Sequence, residues 1–311
     1  MFGPARYLAD FARFAARKET QERHDAQALS ELEARPLGLP AGLELEWLGV
    51  SGYRMTYEGK TLFIDPYVSR VPLSSVIARR PAVPDPAMIE RFIGPPPDRH
   101  PQSVVGVLVG HTHFDHAVDA PAIARRFGCQ VYGSGSLVRL MALHGLADQA
   151  VEARPYQTYE LGPFAVSFTP SLHSKLILGV AVPFAGELTC EHLDALSPGA
   201  YRCGQVWGIQ VEVGGTSFYH QGSANLIDDA IRARDIDFFL AGVAGRGFTR
   251  DYWRRILPRL EPRTVIPTHY DDFFRPLSEP MGFTTNVNLA HVPDEISAVS
   301  GDFSVAALPP P

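Results

Sequence analysis

The residue types best suited to chemistry are concentrated in one heptapeptide, Gly110-His111-Thr112-His113-Phe114-Asp115-His116. Three imidazoles and a carboxylate within six residues are hard to account for as packing. Imidazole and carboxylate suit zinc, manganese or iron, and a rigid strand end can aim them at one point. In a turn, His111 and His113 can converge on one cation while Asp115 and His116 swing towards a neighbouring one. Two further histidines follow apolar runs: His173 in Thr169-Pro170-Ser171-Leu172-His173-Ser174, and His269 in Val265-Ile266-Pro267-Thr268-His269-Tyr270. Sites are commonly built where a rigid element gives way to a loop. A divalent cation lowers the pKa of bound water to about 7 and polarises a carbonyl or phosphoryl oxygen. The chemistry expected is attack of the resulting hydroxide on an ester, lactone, amide or phosphodiester, with Asp115 and His116 as the catalytic pair and Asp115 orienting the hydroxide. His220 could contact the leaving group or lie buried behind a ligand.

The elements that must position these residues follow from pattern. Residues 104–109 form a continuous apolar run suited to a strand buried on both faces. Residues 43–50, 52–57 and 60–64 read as short strands, the last two joined by a Glu58-Gly59 hairpin turn. Asp65-Pro66 opens a proline-rich stretch that continues to Pro101 and reads as a semi-rigid flap beside the site or a plain surface excursion. A helix is expected at 121–127, a strand at 129–132 and a helix after Gly133-Ser134-Gly135-Ser136. A strand at 164–169 and a hairpin of 206–213 with 216–221, turned by Gly214-Gly215, come next. Helix 225–234, strand 236–240, helix 250–257 and strand 264–266 close the pattern. Hairpins open each half and strand–helix units close it, which points to two sheets with helices outside. Residues 5–35 read as a helix on which Tyr7, Leu8, Phe11, Phe14 and Ala15 share a face. That face either packs on the main domain or lies on a membrane surface or partner.

Composition excludes several classes. Lys+Arg 28 against Asp+Glu 34 leaves a net charge of −6, which argues against a nucleic-acid grip through bulk charge. Cys129, Cys190 and Cys203 are too few for a secreted disulfide framework, and a cytoplasmic setting is expected. The apolar runs near 104–109 and 176–185 are too short to span a bilayer, and Arg6, Asp10 and Arg13 interrupt any signal-peptide core. Gly and Pro, 27 of each, fit short strands joined by many turns.

His111 to His116, His173, His269, the lead-in Trp47-Leu48-Gly49-Val50-Ser51-Gly52 and Phe63-Ile64-Asp65-Pro66 together resemble the metallo-β-lactamase fold superfamily of metallohydrolases. Asp65-Pro66 and Pro267-Thr268-His269-Tyr270 look most similar to the branch with L-ascorbate-6-phosphate lactonase and the N-acylphosphatidylethanolamine phospholipase D enzymes. The resemblance implies an α+β fold, a four-layer αββα sandwich of two mixed β-sheets flanked by helices, spanning 41–311 behind a helical extension at 1–40. It implies that His111, His113 and His173 hold one metal and Asp115, His116 and His269 a second, zinc first, with manganese or iron as alternatives. Relatives carry a bridging aspartate where this chain has Ser223, and the next carboxylates, Asp228 and Asp229, sit about a turn into the expected helix. Two divalent cations facing one carboxylate repel each other more strongly, so one tight and one weak or substrate-assisted metal is expected. An anionic substrate group could then supply the missing bridge.

Other readings rest on weaker signals. Gly133-Ser134-Gly135-Ser136 is a phosphate cradle or a plain helix cap. Ala244-Gly245-Arg246-Gly247 is an anion clamp or a solvent-facing arginine. Cys190-Glu191-His192 with Cys203 matches no common zinc module, and 184–203 reads as an insertion that lines the substrate pocket. His24, His100, His144 and His291 read as surface residues. The expected partner is a small-molecule or lipid substrate, with no nucleic acid. The alternatives to a soluble hydrolase are a membrane-surface phospholipase and a non-catalytic metal sensor, the latter motivated only by Ser223.

Overall fold

The computed structural model of the chain describes residues 4–95, 103–177 and 179–311, with the side chains of 4–17 excepted. The aromatic face of Tyr7, Leu8, Phe11, Phe14 and Ala15, and His100 with the last prolines of the flap, lie outside the described residues. Strands β1 (Glu44–Gly49), β2 (Gly52–Tyr57), β3 (Lys60–Ile64), β4 (Val104–Leu108), β5 (Val131–Gly133) and β6 (Ala150–Glu152) form one sheet in that order. Strands β7 (Thr158–Leu161), β8 (Phe164–Ser171), β9 (Val206–Val213), β10 (Thr216–Gln221), β11 (Phe238–Gly242), β12 (Thr264–Thr268) and β13 (Ser304–Val305) form the other, again as sequential neighbours. Both sheets are mixed: β1 to β3 run antiparallel and β3 to β6 parallel, while β7 to β10 run antiparallel and β10 to β13 parallel.

The two-residue period of a strand makes the layers. Leu62 and Ile64 join the core between the sheets with Phe164, Phe168 and Ile209, whereas Phe63 between them packs outward with Val107, Ile123 and Leu140. Helices Ala120–Phe127 and Gly135–Leu143 bury their apolar sides on that outer face. On the far side, Trp253, Ile256 and Leu257 of helix Tyr252–Leu260 pack in the main core with Val292 and Ile296 of helix Val292–Ser297. Leu29 and Leu32 tie the long helix Pro4–Glu33 to the same core, and Asp25 Oδ1 accepts from Ala290 N. The result is the four-layer αββα sandwich. Each fully buried Leu or Phe contributes about 2 kcal/mol, which lets the sandwich carry a buried polar cluster at one edge.

Several local expectations need correction. Residues 225–234 hold a 3-10 turn at Asp228–Ala230 and no α-helix. Asn225 is engaged with Leu226 N and His173 O, and Asp228 with Arg255 and Arg259, so polar side chains compete with helical bonding. The proline-rich stretch is not a bare flap: it contains helices Leu73–Ile77 and Pro86–Phe92, the latter capped by Asp85. Helix Tyr252–Leu260 continues through Pro258, where the pattern had been expected to stop. His144 is half-buried and not freely exposed: burial pulls its pKa down to about 4. No helix among the described residues is long and apolar enough to cross a membrane.

Candidate metal centre

Every side chain of the candidate centre lies shortly after the end of a strand. His111 and His113 follow β4, Asp115 and His116 sit on the one-turn helix Phe114–Ala117 that comes next, His173 follows β8 and His269 follows β12. The strand ends converge because the sheets are stitched together there: Trp207 N donates to Gly110 O at 2.8 Å, and His269 N donates to Val50 O at 2.7 Å. Among the described residues, two groups could hold a cation, His111 with His113 and His173, and Asp115 with His116 and His269, their ligand atoms lying within 4.8 Å of one another in each group. All six residues are at most 9% exposed. The centre therefore brings together the six residues that the pattern singled out.

Hydrogen bonds behind the histidines turn the opposite nitrogens inward. His113 Nε2 donates to Pro183 O at 2.9 Å, which leaves Nδ1 facing His111 Nε2 at 3.1 Å. His173 Nδ1 donates to Ser174 O at 2.7 Å. His116 Nδ1 lies 2.7 Å from Asp65 Oδ2, and its Nε2 faces Asp115 Oδ2 at 3.7 Å. His269 Nε2 lies 3.3 Å from the same carboxylate oxygen. The buried Nδ1 atoms of His111 and His269 have no partner.

Burial holds the imidazoles of the first group neutral: His113 is lowered to about 4, His173 to about 3, and His111 lies well below the usual range. Neutral imidazole is the ligand form. Burial alone would raise the Asp115 carboxyl, but the imidazoles of His116 and His269 outweigh it and hold it well below the usual carboxylate range. Burial likewise works against charge on His116, yet Asp65 and Asp115 raise it above its ordinary value.

The backbone here is strained in places. Val50, Asp65 and His269 all have positive φ, at 52°, 43° and 59°. A β-branched residue pays most for this conformation, and such strain persists only where surroundings over-determine it. The Val50 carbonyl accepts from Trp47 Nε1, Thr268 Oγ1 and His269 N, and Val50 N donates to Asp271 Oδ1 at 2.9 Å. Gly222 must be glycine for a different reason: a Cβ there would sit 2.9 Å from Asp65 Oδ2 and 3.2 Å from His116 Cε1.

The remaining candidates sit differently. Ser223 is buried behind the centre, its Oγ accepting from Ser174 N at 3.0 Å. His220 is fully buried, donates through Nε2 to Ser51 O at 2.9 Å, and lies 3.8 Å from Asp65, outside the cavity lining. Arg246 lines the cavity but is neither a clamp on a flexible loop nor solvent-facing: it is buried and ion-paired to Glu295 at 2.6 Å. Asp228 points to Arg255 and Arg259. Ser134 caps helix Gly135–Leu143 by accepting from Leu137 N. Cys190, His192 and Cys203 form no ligand group among the described residues.

A cavity of about 430 Å³ opens on His113, Asp115, His173 and His269. Val76 from the proline-rich stretch and Phe184 from the start of the insertion both line it, with Phe273 and Phe274 from the loop after His269. Sequence reasoning missed those phenylalanines and the part played by Asp65. An Asp-Pro pair directly after a strand that neighbours β4 was the available signal for the latter.

Comparison with known proteins agrees with this architecture. Residues 44–269 match the family model described as a beta-lactamase superfamily domain. A protein named UPF0173 metal-dependent hydrolase from Anaeromyxobacter sp. (strain K) is 29% identical over 251 residues, spanning 77% of this chain and 79% of that one. Another of that name from Carboxydothermus hydrogenoformans is 26% identical over 239 residues, spanning 74% of this chain and 85% of that one. Among solved structures, Igni18, described as a metallo hydrolase from Ignicoccus hospitalis, is similar with a TM-score of 0.52 and 19% identity, over 86% of this chain and 95% of that one. CmlA, described as a diiron beta-hydroxylase from Streptomyces venezuelae, gives a TM-score of 0.54 and 15% identity over 87% of this chain and 53% of that one. These two likenesses concern the fold.

Proposed function

The chain belongs to the metallo-β-lactamase superfamily and is a metal-dependent hydrolase of that fold, and on that premise we propose that it cleaves an ester, lactone or phosphodiester bond at the two ligand groups around Asp115. The observation that carries this reading is the cavity whose floor is formed by members of both groups. The cavity also favours turnover over a purely sensing role, because a sensor needs no substrate-sized space beside Asp115.

The residues present fit divalent cations. The nitrogens of His111, His113, His116 and His269 that face one another and Asp115, and the neutral imidazoles of the first group, make a donor set of nitrogen with one carboxylate. His111, His113 and His173 would hold one cation; Asp115, His116 and His269 would hold the other. When bound, such a cation lowers the pKa of water and polarises the oxygen of the bond attacked. The chain's own residues do the rest. Asp115 stays ionised and orients the attacking water by accepting its hydrogen bond. Asp65 holds the His116 proton at Nδ1 and so keeps Nε2 turned towards Asp115. Phe273 and Phe274 wall the cavity on one side and limit water around the reacting bond.

Only one carboxylate stands among the six ligands, and Ser223 adds none. We therefore read one site as tight and the second as weaker, strengthened when a substrate carboxylate or phosphate approaches. Zinc is the first choice, with manganese or iron suited to the same donors. The likeness of Asp65-Pro66 and residues 267–270 to the ascorbate-phosphate lactonase and phospholipase D branch guides the choice of substrates. The test is a panel of lactones, p-nitrophenyl esters and phosphodiesters with zinc or manganese. Turnover that disappears in His111→Ala supports the reading; absence of turnover across the panel with metal retained counts against it.

A further inference from the structure

The walls of the cavity say what kind of molecule it takes, and this deepens the hydrolase reading on which it rests. Away from the ligand groups, Arg246 is the one cationic side chain among the described lining residues. An arginine has five N–H donors, and here each has an acceptor within the protein. Nε and Nη2 donate to the two Glu295 oxygens at 2.6 and 2.9 Å, and Nη2 also to Asn288 O at 3.0 Å. Nη1 donates to Val287 O and, at 3.4 Å, to Val243 O. No donor of this guanidinium remains for a substrate anion, and its charge is offset by Glu295. Lys175, beside Leu176 in the chain, is exposed and does not line the cavity. A phosphate held away from the metals needs charge-assisted donors, and this cavity offers none.

Besides the neutral polar groups of Thr284, Thr285 and Asn286, it offers apolar surface. Val76, Leu176, Phe184, Phe273 and Phe274 form walls around the Asp115 floor. Ile77 and Ile177, the chain neighbours of Val76 and Leu176, are exposed, at 75% and 47%. The volume of about 430 Å³ suits a small-molecule substrate.

We infer that the cavity between Arg246, Phe184 and Phe273–Phe274 binds a neutral alkyl or aryl group, so that the substrate is an acyl ester or lactone with an apolar acyl part and not a phosphorylated metabolite. In the reaction, the oxygen of water bonds to the acyl carbon and the carbon–oxygen bond to the leaving group breaks. The proton of that water goes to the leaving oxygen, giving a carboxylic acid and an alcohol, or one hydroxy acid from a lactone. The carboxylate end stays at the ligand groups and the apolar end fills the cavity.

The test uses the zinc-loaded full chain and has two arms. Calorimetric titration with acetate, butanoate, hexanoate and octanoate follows binding of product-like carboxylates without turnover. The affinity is expected to rise about threefold to fourfold per methylene until the chain leaves the cavity. The kcat/KM of p-nitrophenyl acetate, butanoate and hexanoate is expected to rise in the same order and to exceed that of bis(p-nitrophenyl) phosphate. Val76→Lys, a substitution on the half-exposed helix Leu73–Ile77, lowers both slopes. A flat carboxylate series, or glycerol phosphate bound more tightly than hexanoate, overturns the inference. Chain-length-dependent binding without any turnover supports it and counts instead against the hydrolase reading.

Discussion

Asp65 Oδ2 lies 2.7 Å from His116 Nδ1, and the other oxygen of the same carboxylate accepts from Gly110 N at 2.6 Å. One buried carboxylate thus sets both the tautomer of a candidate ligand and the start of the loop and short helix that carry four of them. Partners of this kind tune metal affinity by about 10–100-fold. Asp65→Asn is predicted to weaken metal binding by that factor, read by competition with a chromophoric chelator. An unchanged affinity would show that His116 does not depend on Asp65.

The buried Arg70–Asp271 pair supports the Val50 backbone. Arg70 Nη2 meets Asp271 Oδ2 at 2.7 Å, both side chains are buried, and Asp271 also binds Val50 N. A Cβ at Gly49 would collide with this guanidinium, which explains the glycine there. Breaking a buried pair by removing one partner costs about 3–5 kcal/mol. Arg70→Met is predicted to lose that much stability in urea unfolding. It should also loosen metal bound by the His269 group, because Val50 O receives His269 N. Wild-type stability in this variant would contradict the assignment.

Asp119 gives a pH signature. Burial raises its carboxyl to about 6 from 3.8, against hydrogen bonds from Ser69 and Val68. Between those values the folded chain binds a proton that the unfolded chain does not, so this group's contribution to stability rises as pH falls through the window. Above it, the buried charge costs on the order of 3 kcal/mol. Asp119→Asn is predicted to compare more favourably with the parent at pH 7 than at pH 4, in urea unfolding of the metal-free proteins. A stability difference that stays constant across that range would count against a raised Asp119.

Ser223 tests the charge argument. Ser223→Asp adds a carboxylate at the loop after β10, next to Ser174 N. The variant is predicted to retain two cations per chain through dialysis where the parent retains one, counted by elemental analysis. Equal counts in the two proteins would refute the idea that missing charge weakens the second site.

How far the sequence reached depended on the distance between partners. The ligand histidines were legible because each follows an apolar strand by a few residues, a purely local signal. The hairpin of β2 with β3 and the buried run of β4 likewise pointed to the sandwich. The role of Asp65 needed the register that pairs Ile64 with Leu108, which no local pattern displays. Arg246 looked like a free guanidinium because Glu295 stands 49 residues away. Strands β6 and β13, three and two residues long, carry too little periodicity to be seen. Apart from the candidate ligands, the cavity lining comes from at least five separate segments and exists only after folding.

The central claim, hydrolysis that depends on cations at the His111 and Asp115 groups, is tested most directly by metal add-back. The rate of p-nitrophenyl hexanoate hydrolysis is followed as zinc or manganese is returned to chelated protein, with His111→Ala in parallel. The account predicts no rate above background before metal, recovery that saturates with added metal, and no recovery in His111→Ala. An equal rate in chelated protein, or full recovery in His111→Ala, would contradict it.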